Sequence, residues 1–163
     1  MAIRTLRYEG DEILKKKSRE IEVIDDRIKD LAEDMFDTMH KWDGLGLAAV
    51  QVGILKRIIV IDLYDDHSKF CLINPVILEK SDETVEIEEG CLSYPNQFGK
   101  VVRSVKVKVQ ALDLDGKKVT LEAEGLLAQA LQHEIDHLEG ETFKEKIIPG
   151  TFEIVTPKEE NKK

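Results

Sequence analysis

A pair of histidines spaced four residues apart, in the segment QHEIDHLEGETF at 132–143, is the feature that most constrains this chain. Residues at this spacing face the same way on an α-helix, so His133 and His137 can bind one metal ion together. Glu134 lies about 100 degrees around the helix from His133. That position, beside the ion, suits a general base for metal-assisted hydrolysis. The segment therefore predicts a hydrolytic metal site on a helix, with two ordinary helix histidines as the alternative.

The metal ion needs a third protein ligand, and the sequence offers two directions in which to look. An extended zinc-protease pattern, H-E-x-x-H-x-x-G-x-x-H, is matched by Gly140 but not at its last histidine, where Phe143 stands. A glutamate downstream of the pair would indicate a small metallopeptidase. The other candidate is Cys91 in the segment EGCLSYP at 89–95. We favour Cys91, because Gly90 lets the backbone bend closely around an ion and a turn containing a proline follows.

The two cysteines of the chain have different surroundings. In a reducing compartment they are expected to be free thiols or metal ligands rather than a disulfide. Cys71 lies in the apolar run FCLINPVIL at 70–78 and is interpreted as a small buried hydrophobe. A further alternative is a non-catalytic protein whose metal ion only stabilises the fold. Structural sites are usually closed by four protein ligands, however, whereas three ligands leave a position open for reaction.

Length and charge restrict the function classes. The chain has 163 residues and a net charge of -9, which predicts a single domain over residues 1–163 and argues against nucleic-acid binding through bulk electrostatics. The N-terminal segment does not resemble a signal peptide, and no run approaches the roughly 18 apolar residues that cross a bilayer. We therefore expect a cytoplasmic protein. The polar tail, from about 155 to 163, is expected to fray.

Hydrophobic periodicity predicts an α+β fold. Apolar residues recur every three or four positions at 25–40 and 124–139, which is typical of amphipathic helices, and Gly140 stands where a helix-ending glycine belongs. Alternating runs on either side of Asp115-Gly116 predict an antiparallel hairpin. The glycine-rich segment 41–53 is interpreted as a tight loop. The predicted strands are 57–62, 70–78, 84–88, 101–114 and 117–123.

Three segments, in this order and at these separations, resemble the signature motifs of bacterial peptide deformylases. They are GLGLAAVQ at 44–51, EGCLS at 89–93 and HEIDHLEG at 133–140. The resemblance covers nearly the whole chain. It implies an α+β domain in which antiparallel sheets surround a central helix that carries the HExxH metal motif. It also implies a metal-dependent hydrolase that removes the N-formyl group from the N-terminal methionine of newly made polypeptides and releases formate.

The resemblance further implies which residues form the site. The expected metal ligands are Cys91, His133 and His137, and the expected catalytic groups are Glu134 as general base, the Gln51 side-chain amide and the Leu92 N–H. The expected substrate-binding residues are Gly44, Leu45, Gly46, Ile87, Glu89, Gly90, Leu126, Gln129 and Ala130. Asp136 lies one helical turn from His133 and is expected to support the ligands through a salt bridge to Arg103. The alternative for Asp136 is a solvated helix carboxylate.

A thiolate with two imidazoles suits a soft or borderline ion rather than magnesium or calcium. The resemblance implies one divalent ion per chain, Fe(2+) natively, with Zn(2+), Ni(2+) or Co(2+) as alternatives. It implies formyl-Met peptides on nascent chains as substrate and a transient ribosome contact, with no membrane and no direct nucleic-acid specificity. The chain departs from the family pattern at Gln129, where many relatives are apolar, and at Phe98, where several carry arginine. Its C-terminus is short and mixed in charge rather than a long basic helix.

Overall fold

The computed structural model describes residues 2–155. The expected frayed tail falls mostly on 156–163 and lies outside the described residues, whereas the backbone N–H of Val155 donates to the Asn96 carbonyl at 2.7 Å. Two helices are present, α1 (Asp26–Lys41) and α2 (Gly125–Leu138), with 3₁₀ turns at Glu12–Lys15, Ala49–Val52 and Phe143–Lys146. The strands are β1 (Gly46–Ala48), β2 (Ile58–Asp62), β3 (Lys69–Lys80), β4 (Thr84–Cys91), β5 (Tyr94–Ser104), β6 (Lys106–Leu112), β7 (Lys118–Glu124) and β8 (Glu153–Ile154).

The strands form two antiparallel sheets. The larger has the order β1-β2-β3-β6-β7, and the smaller has the order β4-β5-β8. β1 and β4 are therefore edge strands, each with one free side. This arrangement confirms the α+β fold with antiparallel sheets around the helix that carries HEIDH.

Strand β2 explains how the two helices are held, because every one of its residues is buried. Ile58 and Val60 belong to the core cluster shared with α1, whereas Ile59 and Ile61 belong to the cluster shared with α2. Side chains alternate between the two faces of a strand, so one continuous apolar segment can bury both faces. The larger sheet thus lies between α1 on one face and α2 on the other.

The ends of both helices are fixed by side chains. The Asp25 carboxylate accepts from the Ile28 N–H at 3.1 Å and caps α1. At the C-terminal end of α2, the Arg57 guanidinium donates to the Leu138 carbonyl at 3.2 Å and pairs with Glu139 at 2.6 Å. These contacts anchor the end of the helix that carries the two histidines. No helix among residues 2–155 is long and apolar enough to cross a membrane.

Two of the expected elements are wrong. The run 101–114 is not one strand: it divides at Val105 into β5 and β6, which belong to different sheets. The alternation of side chains continues through the break, so periodicity cannot reveal the change of sheet. The segment 41–53 is not simply a loop, because it contains β1 and a buried 3₁₀ turn. Pro95 also lies within β5 rather than in the turn after Cys91.

The helix boundaries and the β6–β7 pairing are confirmed. Ala111 pairs with Val119 in an antiparallel register, as the alternating runs predicted. The connection spans 113–117 rather than two residues, and Gly116 supplies its positive φ of 80°. Gly140 ends α2 with a φ of 78°, which only glycine adopts without strain.

Gly140→Ala should lower the free energy of unfolding by about 2–4 kcal/mol, from backbone strain plus overpacking. A Cβ at this position would lie against the Lys15 carbonyl group, 2.8 Å from its carbon. Gly150→Ala is the matched control, because Gly150 also has a positive φ, 87°, but a Cβ there would have no heavy atom within 4 Å. Urea denaturation should show a clearly larger loss for Gly140→Ala, and equal losses would contradict the steric argument.

Candidate active site

A cavity of about 780 Å³ opens between the two edge strands β1 and β4. One wall comes from residues 42–46, and the opposite wall comes from residues 88–92 and 94–98. The face of α2 that carries Leu126, Gln129, Ala130, His133 and Glu134 completes it. Because the free edges of two sheets face the cavity, it can accept an extended peptide backbone.

Cys91 and His133 line this cavity, and His137 lies close to both of them. One potential ligand atom from each residue lies within 4.8 Å of the other two, and Cys91 Sγ is 3.3 Å from His137 Nε2. A tetrahedral ion with metal–sulfur and metal–nitrogen bonds of about 2.3 and 2.0–2.1 Å separates such atoms by roughly 3.5 Å. The three donors therefore fit one divalent ion and leave a fourth position for reaction. The thiolate comes from the end of β4 and both imidazoles from α2, so the ion would join a sheet to a helix.

His133 is oriented by a chain of buried charges. Its Nδ1 donates to Glu89 Oε1 at 2.8 Å, which leaves Nε2 for the metal ion. The Arg103 guanidinium makes two bonds to the Glu89 carboxylate, from Nε at 2.7 Å and from Nη2 at 2.8 Å. The third contact of Arg103 is a 2.6 Å bond from Nη1 to Asp136. Asp136 and Glu89 thus hold the Arg103 guanidinium between them, and Glu89 orients the His133 imidazole.

This environment shifts the pKa values of the buried groups. Burial by itself raises the pKa of Glu89, but the hydrogen bonds from Arg103 and His133 outweigh it and lower that pKa to about 2. Burial lowers the pKa of both imidazoles. For His133 the contact with Cys91 and the negative charges of Glu134 and Glu89 reverse this and raise the pKa. For His137 the positive charge of His133 adds to burial, and together they hold its pKa well below the usual value.

Glu134 is buried beside Cys91, His133 and His137. Its Oε2 lies 4.0 Å from His133 Nε2, and burial raises the pKa of the carboxyl to about 7. Within residues 2–155, Oε1 of Glu134 has no hydrogen-bond partner. Gly46 packs directly on this side chain: a Cβ there would lie 2.7 Å from Oε2. The carboxylate therefore occupies a fixed space between α2 and β1.

The Gln51 side chain also reaches Cys91. Its Oε1 accepts from the Ala48 N–H at 2.9 Å, and its Nε2 donates to Ser93 Oγ at 3.1 Å and lies 3.4 Å from Cys91 Sγ. Leu92 forms the turn between β4 and β5, immediately after the cysteine. The structure thus brings Cys91, His133, Glu134, Gln51 and Leu92 together around one cavity, whereas His137 is buried behind it.

Comparison with known proteins identifies the family. The family model described as polypeptide deformylase matches residues 3–152. The chain belongs to the polypeptide deformylase family. It is 55% identical over 143 residues to peptide deformylase 1 of Clostridium perfringens, a match that covers 88% of this chain and 97% of that one. It is 52% identical over 148 residues to a peptide deformylase of Acetivibrio thermocellus, covering 91% and 85% of the two chains.

Solved deformylase structures share the fold. The Thermotoga maritima peptide deformylase superposes with a TM-score of 0.88 at 40% identity, covering 91% of this chain and all (100%) of that one. The Ehrlichia chaffeensis enzyme in complex with actinonin gives 0.88 at 42% identity, covering 91% of each chain. This chain is accordingly a metal-dependent hydrolase that removes the N-formyl group from newly made polypeptides.

Most of the expected substrate-binding residues line the cavity of this deformylase. They are Gly44, Leu45, Gly46, Glu89, Gly90, Leu126, Gln129 and Ala130. Ile87 is not among the lining residues. Glu89 touches the cavity, but its carboxylate is committed to His133 and Arg103. The Gln129 amide is turned toward β4, where it donates to the Glu88 carbonyl at 3.2 Å.

Phe143 occupies the place of the third histidine in the protease pattern. It is 1% exposed and packs 5.9 Å from the His133 ring and edge-on to Tyr94 at 5.5 Å. The downstream carboxylates have other partners: Glu139 pairs with Arg57 and Lys17, and Glu141 pairs with Lys146. Cys91 therefore remains the third candidate ligand, and Phe143 packs against the His133 ring.

Several lining residues were not anticipated from the sequence. Leu6 and Tyr8 come from the N-terminal segment, and Trp42 and Asp43 stand at the mouth. Nothing local in the sequence distinguishes these residues, because it is the tertiary fold that brings them to the cavity. The sequence also does not reveal the contact of Glu89 with the His133 imidazole, since the two residues lie 44 apart in the chain. The position of Glu89 close to a metal-ligating cysteine is a signal that could have suggested an orienting carboxylate.

Gly46→Ala should lower kcat by on the order of 10²-fold, because a displaced general base loses its alignment. The three heavy atoms nearest to the new methyl group all belong to the Glu134 side chain, so the substitution displaces that side chain rather than the backbone. Metal content and the urea midpoint should stay close to those of the parent protein. Unchanged kcat in a variant that still binds metal would contradict the close packing of Gly46 on Glu134.

The two thiols should differ in reactivity after the metal is removed with a chelator. Burial raises the pKa of Cys71 to about 12, so its thiol stays protonated, whereas Cys91 lines the cavity. At about pH 8, iodoacetamide should therefore alkylate Cys91 and spare Cys71, and added Zn(2+) should protect Cys91. Peptide mass mapping distinguishes the sites. Equal labelling of both cysteines would contradict the assignment.

Proposed function

We propose that Cys91, His133 and His137 hold the single divalent ion of this deformylase, with Fe(2+) as the native ion. The observation that carries the proposal is the meeting of the three donor atoms within 4.8 Å, beside a buried carboxylate and at an open cavity. One thiolate and two imidazoles favour Fe(2+), Zn(2+), Ni(2+) or Co(2+) over hard cations. When bound, the ion supplies Lewis-acid activation of the attacking water and of the formyl carbonyl.

Glu134 is the proton carrier in this proposal. It takes a proton from the attacking water, whose oxygen bonds to the formyl carbon. The C–N bond then breaks, and Glu134 delivers the proton to the leaving nitrogen, giving formate and a free α-amine. The position of Glu134 supports this role. Its Oε2 lies 4.0 Å from His133 Nε2, and its Oε1 has no hydrogen-bond partner among the described residues.

Gln51 and Leu92 meet the negative charge that develops on the formyl oxygen. The Gln51 amide nitrogen is 3.4 Å from Cys91 Sγ. It therefore lies beside the formyl group of a substrate bound next to Cys91, His133 and His137. The Leu92 N–H follows Cys91 in the β4–β5 turn. Preorganised donors of this kind are each worth about 3–4 kcal/mol in other enzymes.

The methionine side chain is proposed to lie against α2. Leu126 is 50% exposed and, with Ala130 and the stem of Gln129, offers an apolar surface one to two turns before His133. The substrate backbone would lie between β1 and β4, against Leu45, Gly46 and Gly90. Ile87 could contribute only if the substrate extended past the cavity wall.

The location and partners of the enzyme are proposed from its substrate. We propose that it works in the cytoplasm on formyl-Met nascent chains, with a transient ribosome contact and no recognition of membrane or nucleic-acid sequence. We also propose that residues 1–163 act as a single domain, because the cavity is lined by both sheets and by α2. Formylated peptide should therefore be sufficient as a substrate without the ribosome.

Anaerobically purified protein should contain one ferrous ion per chain and release formate from formyl-Met-Ala-Ser. Glu134→Gln should keep the ion and lose activity by at least about 10³-fold, because the amide cannot accept the proton. Metal analysis and a formate assay measure the two properties separately. Turnover by Glu134→Gln would remove its assignment as the base, and bound metal with no formate from the parent protein would overturn the proposed site.

A matched pair of cysteine variants tests the metal ligands. Cys91→Ser should lose most of the bound metal and activity, because it replaces the proposed thiolate ligand. Cys71→Ser should keep both, since Cys71 packs against the core cluster of α1, away from the donor triad. Equal metal contents in the two variants would point to a third ligand other than Cys91.

A further inference from the structure

Ser93 is a fully buried residue, 0% exposed, that touches the proposed oxyanion donor. Its hydroxyl oxygen accepts from Gln51 Nε2 at 3.1 Å. At its other end, the Gln51 carboxamide accepts from the Ala48 N–H at 2.9 Å. The terminal torsion of glutamine has a broad energy profile, so the side chain by itself does not select one orientation. The two contacts together define the plane of the amide and place its nitrogen toward the cysteine.

The backbones of Gln51 and Ser93 are held by one N-terminal segment. The Arg7 N–H donates to the Gln51 carbonyl at 2.7 Å, and the Glu9 N–H donates to the Ser93 carbonyl at 2.9 Å. The two donors are only two residues apart in the chain. Gln51 and Ser93 belong to different parts of the fold, and this N-terminal segment sets the distance between them.

We propose that Ser93 is a positioning residue for the deformylase reaction, which holds the Gln51 amide so that one N–H faces the formyl oxygen. The inference rests on the proposed role of Gln51. An amide nitrogen carries two protons. Ser93 Oγ accepts one of them, and the other is directed toward Cys91 and the reacting group. Cys91 Sγ, 3.4 Å from Nε2, is a partner for the second N–H, so it leaves the first to Ser93 Oγ.

Ser93→Ala should lower kcat about tenfold while KM and metal content stay close to the parent values. KM is unaffected because the Gln51 contact strengthens as charge develops and adds little to ground-state binding. Ser18→Ala is the matched control: Ser18 is also a buried serine, but within residues 2–155 its hydroxyl has no hydrogen-bond partner. Its kcat should equal that of the parent. Equal losses in the two variants would overturn the proposal, because they would reflect only the loss of a buried hydroxyl.

A double-mutant cycle separates positioning from a general structural effect. Gln51→Ala should lower kcat by about 10²–10³-fold, as expected for loss of an oxyanion donor. In that background Ser93→Ala should have no further effect, because its target is gone. An additional tenfold loss would show that Ser93 acts independently of Gln51. Unchanged kcat in Gln51→Ala would instead contradict the proposed function of Gln51 itself.

A spectroscopic measurement tests the same point without turnover. The side-chain amide protons of Gln51 can be assigned in the zinc-loaded protein by their absence from the spectrum of Gln51→Ala. In the parent protein they should give two well-separated, slowly exchanging signals. Ser93→Ala should make them exchange faster and bring their shifts together, whereas Ser18→Ala should not. Unchanged amide signals in a folded Ser93→Ala protein would overturn the proposal even if its kcat had fallen.

Discussion

The buried ion pair between Arg103 and Glu89 is the interaction on which the active site depends. Both side chains are almost fully buried, and a buried charge is tolerated only when its partners satisfy it. Glu89 has four donor atoms around its carboxylate: two from Arg103, one from His133 and, at 3.4 Å, one from Gln129. Loss of Arg103 would leave an uncompensated buried charge next to His133. The pair therefore couples β5, β4 and α2 more tightly than apolar packing alone.

This coupling explains why the site forms between elements rather than within one. The larger sheet holds α2 through the apolar side of β2, and the smaller sheet brings Cys91 to the exposed side of that helix. The Glu89–His133 bond then fixes the orientation of the helix relative to β4. A metal ion bound by Cys91 and the two histidines would reinforce the same junction, so metal binding and folding are expected to be thermodynamically linked.

The local elements could be predicted because their signals are local. The two helices have strong periodicity and clear ends, and HEIDH places both imidazoles on one face whatever the surrounding fold. Long-range features could not be deduced in this way. The division at Val105 leaves the alternation unbroken, and the contribution of Tyr8 to the cavity depends on the path of the N-terminal segment. Cys91 was favoured as the third ligand from Gly90 and the turn beside it, whereas Gln51, Leu92 and the substrate-binding residues were expected only through the family resemblance.

The position of Trp42 has a practical consequence. It is the single tryptophan of the chain, about half exposed, at the mouth of the cavity, with Lys41 Nζ 5.2 Å from its ring centroid. Any peptide that enters must change the polarity or the solvent access around this indole. The indole fluorescence of the unmodified protein therefore comes only from this position at the cavity entrance. Occupancy can be followed optically in real time, including for peptides that lack a formyl group and undergo no reaction.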